Sequence, residues 1–191
     1  MKNIKIALSG PHNSGKTTSL YYISYKIKSL GKVIGIGHEV ARDCPYPIGL
    51  ESTDISQLWM LFNHMLMEKR LESLYSIVLL DRTVFDTVAY AQYLKNHGKM
   101  SWDELDFMYQ SSLHWTKIHP YTKIYYLEPL PMEEDPQRNG DLEYQGQIDI
   151  GLQLLFSMAN QKIEYIVGRN KEERARVLYS KIESILKEGG K

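Results

Sequence analysis

The sequence predicts an α/β fold of three layers, with helices on both faces of an open, five-stranded parallel sheet. Three observations predict it. Short apolar runs alternate with longer segments of helical period in the order β, α, β, α. The first run opens directly into a glycine-rich turn and then a helix. The third, Ile77 to Leu80, is apolar without a break and is closed by Asp81, the pattern of a strand covered on both faces. Strands separated by helices pair in parallel through right-handed crossovers, and such sheets take their ligands at the carboxyl ends of the strands.

The elements follow in order. Lys2 to Ser9 alternates and then runs apolar as a first strand, and Thr17 to Leu30 reads as a helix. Val33 to Gly37 is a second strand ending at His38 and Glu39, and a loop through Pro45 and Pro47 turns away from the sheet. From Ile55, the residues Leu58, Trp59, Phe62, Met65 and Leu66 recur at helical spacing, which predicts a long helix with this Trp and Met stripe in the core. After the strand at Ile77 to Leu80, Thr83 to Lys95 is helical. The next helix begins near Ser101, which has capping-box spacing to Glu104, and ends before His119 and Pro120. Lys123 to Leu127 is a strand, and the polar, turn-rich stretch 129–146 reads as a mobile flap or lid. Gln147 to Gln161 is a helix, Ile163 to Val167 the last strand, and Asn170 the cap of a C-terminal helix.

A chain of 191 residues suits one domain, here 1–191, closing one core around a sheet. Lys plus Arg and Asp plus Glu balance at 23 each, which leaves no global field to attract a long polyanion. A nucleic-acid partner is therefore disfavoured, although a local groove could hold one. The single cysteine, Cys44, cannot form an internal disulfide, and no basic-then-apolar leader or membrane segment is read at the N-terminus. Cytoplasmic residence, without a membrane partner, is the default expectation.

Gly10-Pro11-His12-Asn13-Ser14-Gly15-Lys16-Thr17 fits G-x-x-x-x-G-K-[ST] in full, between a strand and a helix as the motif requires. Such a P-loop turns backbone N–H groups and a positive helix end toward phosphates. Gly10, Asn13, Ser14 and Gly15 form the cradle, and Lys16, expected in an exposed loop, adds a point charge between the β- and γ-phosphates. The Thr17 hydroxyl is placed to bind Mg2+. Thr18 is counted with the loop without a role of its own, and His12 is a loop filler.

A P-loop alone does not choose a function. A GTPase would carry Asp-x-x-Gly after the next strand, and Asp81-Arg82-Thr83-Val84 lacks that glycine. Asn170-Lys171-Glu172-Glu173 lacks the terminal aspartate of a guanine-reading motif and reads as a helix cap. Asp81 is a candidate for magnesium or for the acceptor's proton, and Arg82 for an anionic group or the transferring phosphate. Glu39 and Arg42 lie one helical turn apart at the end of the second strand, placed to point into one cleft or to form a surface ion pair. In the flap, Arg138, amid Glu133, Glu134 and Asp135, could swing onto the transferring phosphate.

On these residues the chain resembles the small P-loop kinases of the thymidylate and nucleoside kinase superfamily, most closely the ribosylnicotinamide-kinase-like ATPase group. The resemblance spans nearly the whole chain. It rests on Gly10 to Thr17, Glu39-Val40-Ala41-Arg42-Asp43, Asp81-Arg82-Thr83-Val84-Phe85-Asp86 with Ala89-Tyr90, and the Asp135 to Arg138 flap. It implies that Glu39 and Asp81 face the acceptor and the metal, that Arg138 is the flap arginine, and that Val167 to Arg174 lies near the adenine. The flap reads Asp135-Pro136-Gln137-Arg138, where the group tends to have a glycine between acid and arginine.

The function expected is Mg2+-dependent transfer of the γ-phosphoryl group of ATP, or GTP, to a nucleoside- or nucleotide-like small molecule. Lys16, Glu39, Asp81, Arg82 and Arg138 would be the catalytic set. Glu39, Arg42, Gln57, Asn63, Arg82, Asp86 and Tyr90 would bind the acceptor, and Thr17 and Asp81 the metal. The alternatives are a kinase acting on a modified base or end in a nucleic acid, and a non-catalytic nucleotide-binding module or NTPase switch. The acceptor and the oligomeric state, a homodimer included, stay open at this point.

Overall fold

The computed structural model describes residues 3–130 and 142–188. Five parallel strands form one sheet: β1 (Ile4–Ser9), β2 (Gly35–Gly37), β3 (Ile77–Asp81), β4 (Lys123–Leu127) and β5 (Ile163–Ile166), in the order β2-β3-β1-β4-β5. Six helices connect and cover them: α1 (Lys16–Ser29), α2 (Asp54–Leu74), α3 (Val84–Asn96), α4 (Trp102–Ile118), α5 (Leu142–Met158) and α6 (Lys171–Glu188). This is the three-layer α/β/α arrangement that the alternation of elements predicts. Among the described residues, no helix is long and apolar enough to cross a membrane.

The two-residue period of the strands decides which side chain enters which layer. Ile6, Leu8, Ile77, Leu79, Tyr125 and Leu127 pack with Leu20, Ile23 and Ile27 of α1 and Leu178, Ile182 and Leu186 of α6. On the other face, Ile124 and Tyr126 join Leu61, Phe85, Val88, Met108, Ile148 and Phe156 from α2, α3, α4 and α5. The same parity turns Asp81 toward the start of α1, where the phosphate-binding loop ends, and turns Lys5 and Ser9 toward α2 and α3.

Helix boundaries follow local chemistry. Thr53 and Ser56, and Ser101 and Glu104, form reciprocal capping boxes at α2 and α4. Asn170 Oδ1 accepts the Glu173 N–H at 2.9 Å, the cap read from the sequence. Helix α5 already begins at Leu142, so the last residues of the expected flap are helical; 131–141, with Glu133, Glu134, Asp135 and Arg138, lie outside the described residues.

The stripe read for α2 holds only in part: Met65 is in the core and Leu58 packs against it, but the rest is corrected. Ile55, Phe62 and Leu66 are exposed and Trp59 only half-buried, whereas Gln57, Met60, Leu61, His64, Met65 and Glu68 face inward. The core side holds polar residues because Glu68 collects Lys5 Nζ at 2.9 Å, Trp115 Nε1 at 2.7 Å, Tyr121 OH at 2.6 Å and His64 Nε2 at 3.1 Å. A paired, multiply hydrogen-bonded carboxylate can be buried where an unpaired one cannot, and helical periodicity of apolar residues alone does not reveal it.

Candidate functional site

The loop between β1 and α1 takes its shape from backbone conformations that few residues allow. Gly10 has φ 136°, and a Cβ built there would lie 2.1 Å from the carbonyl oxygen of Leu127. Asn13 (φ 57°) and Gly15 (φ 82°) are also left-handed, the latter at the N-cap of α1. We expect Gly10→Ala to push the loop off β4, with about 2–3 kcal/mol lost in denaturant titration and nucleotide affinity reduced at least about tenfold, equivalent to ~1.4 kcal/mol.

Elements remote in sequence clamp this loop. The Arg174 guanidinium, from the first turn of α6, donates to the carbonyls of Ser14 and Glu128 and to that of Gly168. Gln145 of α5 donates to the His12 carbonyl at 2.7 Å, and the Asn13 carbonyl accepts from Leu130 N–H. The His12 ring lies against Tyr144, and its Nδ1 is 3.3 Å from the Tyr90 hydroxyl. Burial, with the charges of Arg82 and Lys16, lowers its pKa to about 4, which leaves it neutral at neutral pH.

Lys16 is only 5% exposed, contrary to the expectation of an exposed side chain. Its Nζ donates to the Pro11 carbonyl at 2.6 Å and the Ser14 hydroxyl at 2.9 Å. Desolvation, helped by the Arg82 charge, pulls its pKa down to about 8. Thr17 donates its hydroxyl to Asp81 Oδ2 at 2.6 Å. Thr18 is exposed in the same turn.

Asp81 is 1% exposed, and its Oδ1 is buried without a hydrogen-bond partner. Such an oxygen costs stability unless something binds it. Among the described residues, no group of three or more His, Cys, Asp or Glu could hold a metal. Two protein oxygens, Thr17 Oγ1 and Asp81 Oδ1, suit Mg2+, which keeps water and phosphate oxygens for the rest of its octahedron. The donors present fit the cofactor expected.

Glu39 follows β2 and Asp81 ends β3, so the pairing of these strands brings the two acids to one edge. Arg82, at φ 89°, turns its guanidinium back across this edge. Its Nη2 and Nε donate to Glu39 Oε1 at 2.7 and 2.9 Å, and its Nη1 reaches the Gly10 carbonyl and Asp86 Oδ1, both at 3.4 Å. The Arg82 charge, with its hydrogen bond, overcomes burial and holds the Glu39 carboxyl at about 2. A non-glycine residue at such a φ is uncommon, and the loop spends strain to keep the arginine here.

These groups border a cavity of about 320 Å3 lined by Thr17, Glu39, Arg42 and Asp81 together with Tyr21, His38 and Asp43. Tyr21 and His38 are additions to the sequence reading. Their signals are visible in hindsight, Tyr21 one helical turn beyond Thr17 and His38 directly after the second strand.

Other predicted acceptor contacts divide. Arg42 borders the cavity but is 67% exposed and pairs with Glu39 at 3.3 Å, so both readings of that pair hold together. Gln57 is buried with an unpartnered Oε1. Tyr90 lies under Arg82, whose guanidinium carbon is 5.3 Å from the ring centre. The half-buried Asn63 donates its amide to the Trp59 carbonyl of its own helix. Asp86 is corrected. It is wholly buried and accepts from Ser9, from the Thr83 N–H and hydroxyl, and from Arg82, so it caps α3 and positions Arg82 instead of meeting a ligand.

Sheet and loop together define an open, parallel α/β fold with a phosphate-binding P-loop at the end of its first strand. Among solved structures the chain is similar to the NadR protein in complex with NR, with a TM-score of 0.73 and 14% identity over 96% of this chain and 50% of that one. At this identity the likeness is one of fold, and the chain spans half the length of that relative. No protein-family model and no curated protein matches the sequence.

Proposed function

We propose that the protein is a Mg2+-dependent kinase that moves the γ-phosphoryl group of ATP onto a hydroxyl of a nucleoside-like small molecule. The observation that carries this reading is the single edge shared by Thr17 with the spare oxygen of Asp81 and by Glu39 with Arg82, beside one cavity. The fold shared with a structure that holds NR, and the resemblance to the ribosylnicotinamide-kinase-like group, support the same acceptor class. The position of Gly168 and Arg174 against the P-loop supports a base site there.

In this reading the backbone N–H groups of the loop and Lys16 hold the β- and γ-phosphates. The acceptor oxygen attacks the γ-phosphorus as the bond to the β–γ bridging oxygen breaks, releasing ADP. Thr17 and Asp81 would hold Mg2+, which would neutralise charge on the phosphate oxygens. Glu39, with a pKa of about 2, is too weak a base to take the proton early. It accepts a hydrogen bond from the hydroxyl, aims it, and receives its proton only late, as the bond to phosphorus forms, passing it on to solvent; a loose transition state requires that aiming more than early deprotonation. Arg82 presents fixed positive charge where charge shifts, and Arg138 is proposed to add a second cation from the 131–141 segment.

A panel of nucleosides and nucleotides, NR among them, incubated with Mg2+-ATP and read by mass spectrometry tests the function. Phosphorylated product identifies the acceptor, whereas nucleotide binding without any product would make the chain a binding module.

The two acids are expected to separate kinetically. Asp81→Asn should raise the Mg2+ requirement and slow acceptor-independent hydrolysis. Glu39→Gln should suppress transfer with nucleotide binding and Mg2+ dependence nearly intact. Magnesium titrations of both variants decide it, and an exchange of phenotypes would exchange the roles.

A further inference from the structure

The exposed side of α2 carries Ile55, Phe62 and Leu66, and that of α4 carries Phe107 and Ile118. Their spacings keep each set on one side of its helix. The rings of Phe62 and Phe107, 6.1 Å apart between centroids, join the two stripes into one patch. Contacts from Phe62 to Phe107 and from Glu68 to Trp115 run in the same order along both helices, so α2 and α4 lie parallel. Their charged ends therefore coincide. Asp54 and Asp103 stand at one pole of the patch, and Lys69, Arg70 and Lys117 at the other.

We propose that this face is the interface of a symmetric homodimer, in which two copies of α2 pack antiparallel about a two-fold axis near Phe62. An isologous interface requires a patch complementary to itself. A two-fold rotation here lays the acidic pole of each copy on the basic pole of the other and apolar stripe on apolar stripe. The opposed poles also tell against an anionic membrane, which would attract one end and repel the other. Two adjacent helices about 25–30 Å long and about 20 Å wide together offer about 500–600 Å2 per copy. That gives about 1,000–1,200 Å2 in total, at the floor for a biological interface and in the size class of weakly associating pairs.

Sedimentation velocity of the full chain tests this, with a mass twice 22.2 kDa expected at micromolar concentration. Leu66→Glu, at a solvent-facing position, should sediment as a folded monomer. Lys69→Glu with Arg70→Glu should weaken association at least about tenfold at low salt, ~1.4 kcal/mol by the usual conversion. In a Cys44→Ser background, Phe62→Cys should crosslink to its own copy with a short bis-maleimide. Ile55→Cys should not, because the rotation separates the two copies of that position by about 20 Å. A wild-type monomer at about 100 μM, a dimer indifferent to Leu66→Glu, self-crosslinking at position 55 but not 62, or a monomer that floats with anionic vesicles would each overturn the proposal. The test reads mass and crosslinks, so it stands apart from the kinase reading.

Discussion

Lys16→Ala is expected to lower phosphoryl transfer on the order of 10²–10³-fold, the cost of removing a preorganised charge from a transition state, without lowering the unfolding temperature. The second half follows from the burial of the ammonium. Its pKa is pulled down to about 8 by desolvation, so its charge opposes folding, and the two acceptors it leaves, Pro11 O and Ser14 Oγ, are a loop carbonyl and a rotatable hydroxyl. Steady-state turnover with the acceptor found in the panel, beside a thermal melt, reads both quantities. Near wild-type turnover by the folded variant would remove the basis of the P-loop assignment.

Glu68→Leu is expected to cost about 3–5 kcal/mol in denaturant titration, the usual consequence of deleting one partner of a buried ion pair. Lys5, 1% exposed, would keep Glu72 at 2.8 Å and the His119 carbonyl. Trp115 Nε1 and the Tyr121 hydroxyl would lose the acceptor they share. Tyr121 in turn accepts from the Val84 N–H, so the loss reaches the start of α3. Burial opposes ionisation of Glu68, but the His64 hydrogen bond and charge, Lys5 and Trp115 prevail and hold its pKa at about 2, below the ordinary 4.5. The sign follows: a carboxyl with a depressed folded pKa contributes its full stabilisation above about 4.5 and loses it as pH falls toward about 2. The stability gap between wild type and Glu68→Gln should therefore narrow between pH 5 and pH 2.5, and a gap independent of pH would show that Glu68 is not ionised in the fold.

Much of this was legible one-dimensionally. The Gly10–Thr17 motif, the closing of an apolar strand by Asp81, the Ser101–Glu104 capping box and the β, α alternation are local signals, written by backbone geometry and short-range hydrogen bonding. They determined the fold class, the phosphate loop and the presence of Glu39 and Asp81 at strand ends, while the pairing of those two strands belongs to the structure. Tertiary structure decided what depends on partners far along the chain. Arg174 clamps the loop across 160 positions, Glu39 meets Arg82 across 43, and Lys5 meets Glu68 across 63. It also put Ile55, Phe62 and Leu66 of the α2 stripe outside while keeping Met65 in the core, and it buried Asp86 as the cap of α3 and support of Arg82. The reason is physical: a periodic pattern reports only that a helix has faces, while the identity of the buried face depends on which polar groups find satisfying partners when the layers close.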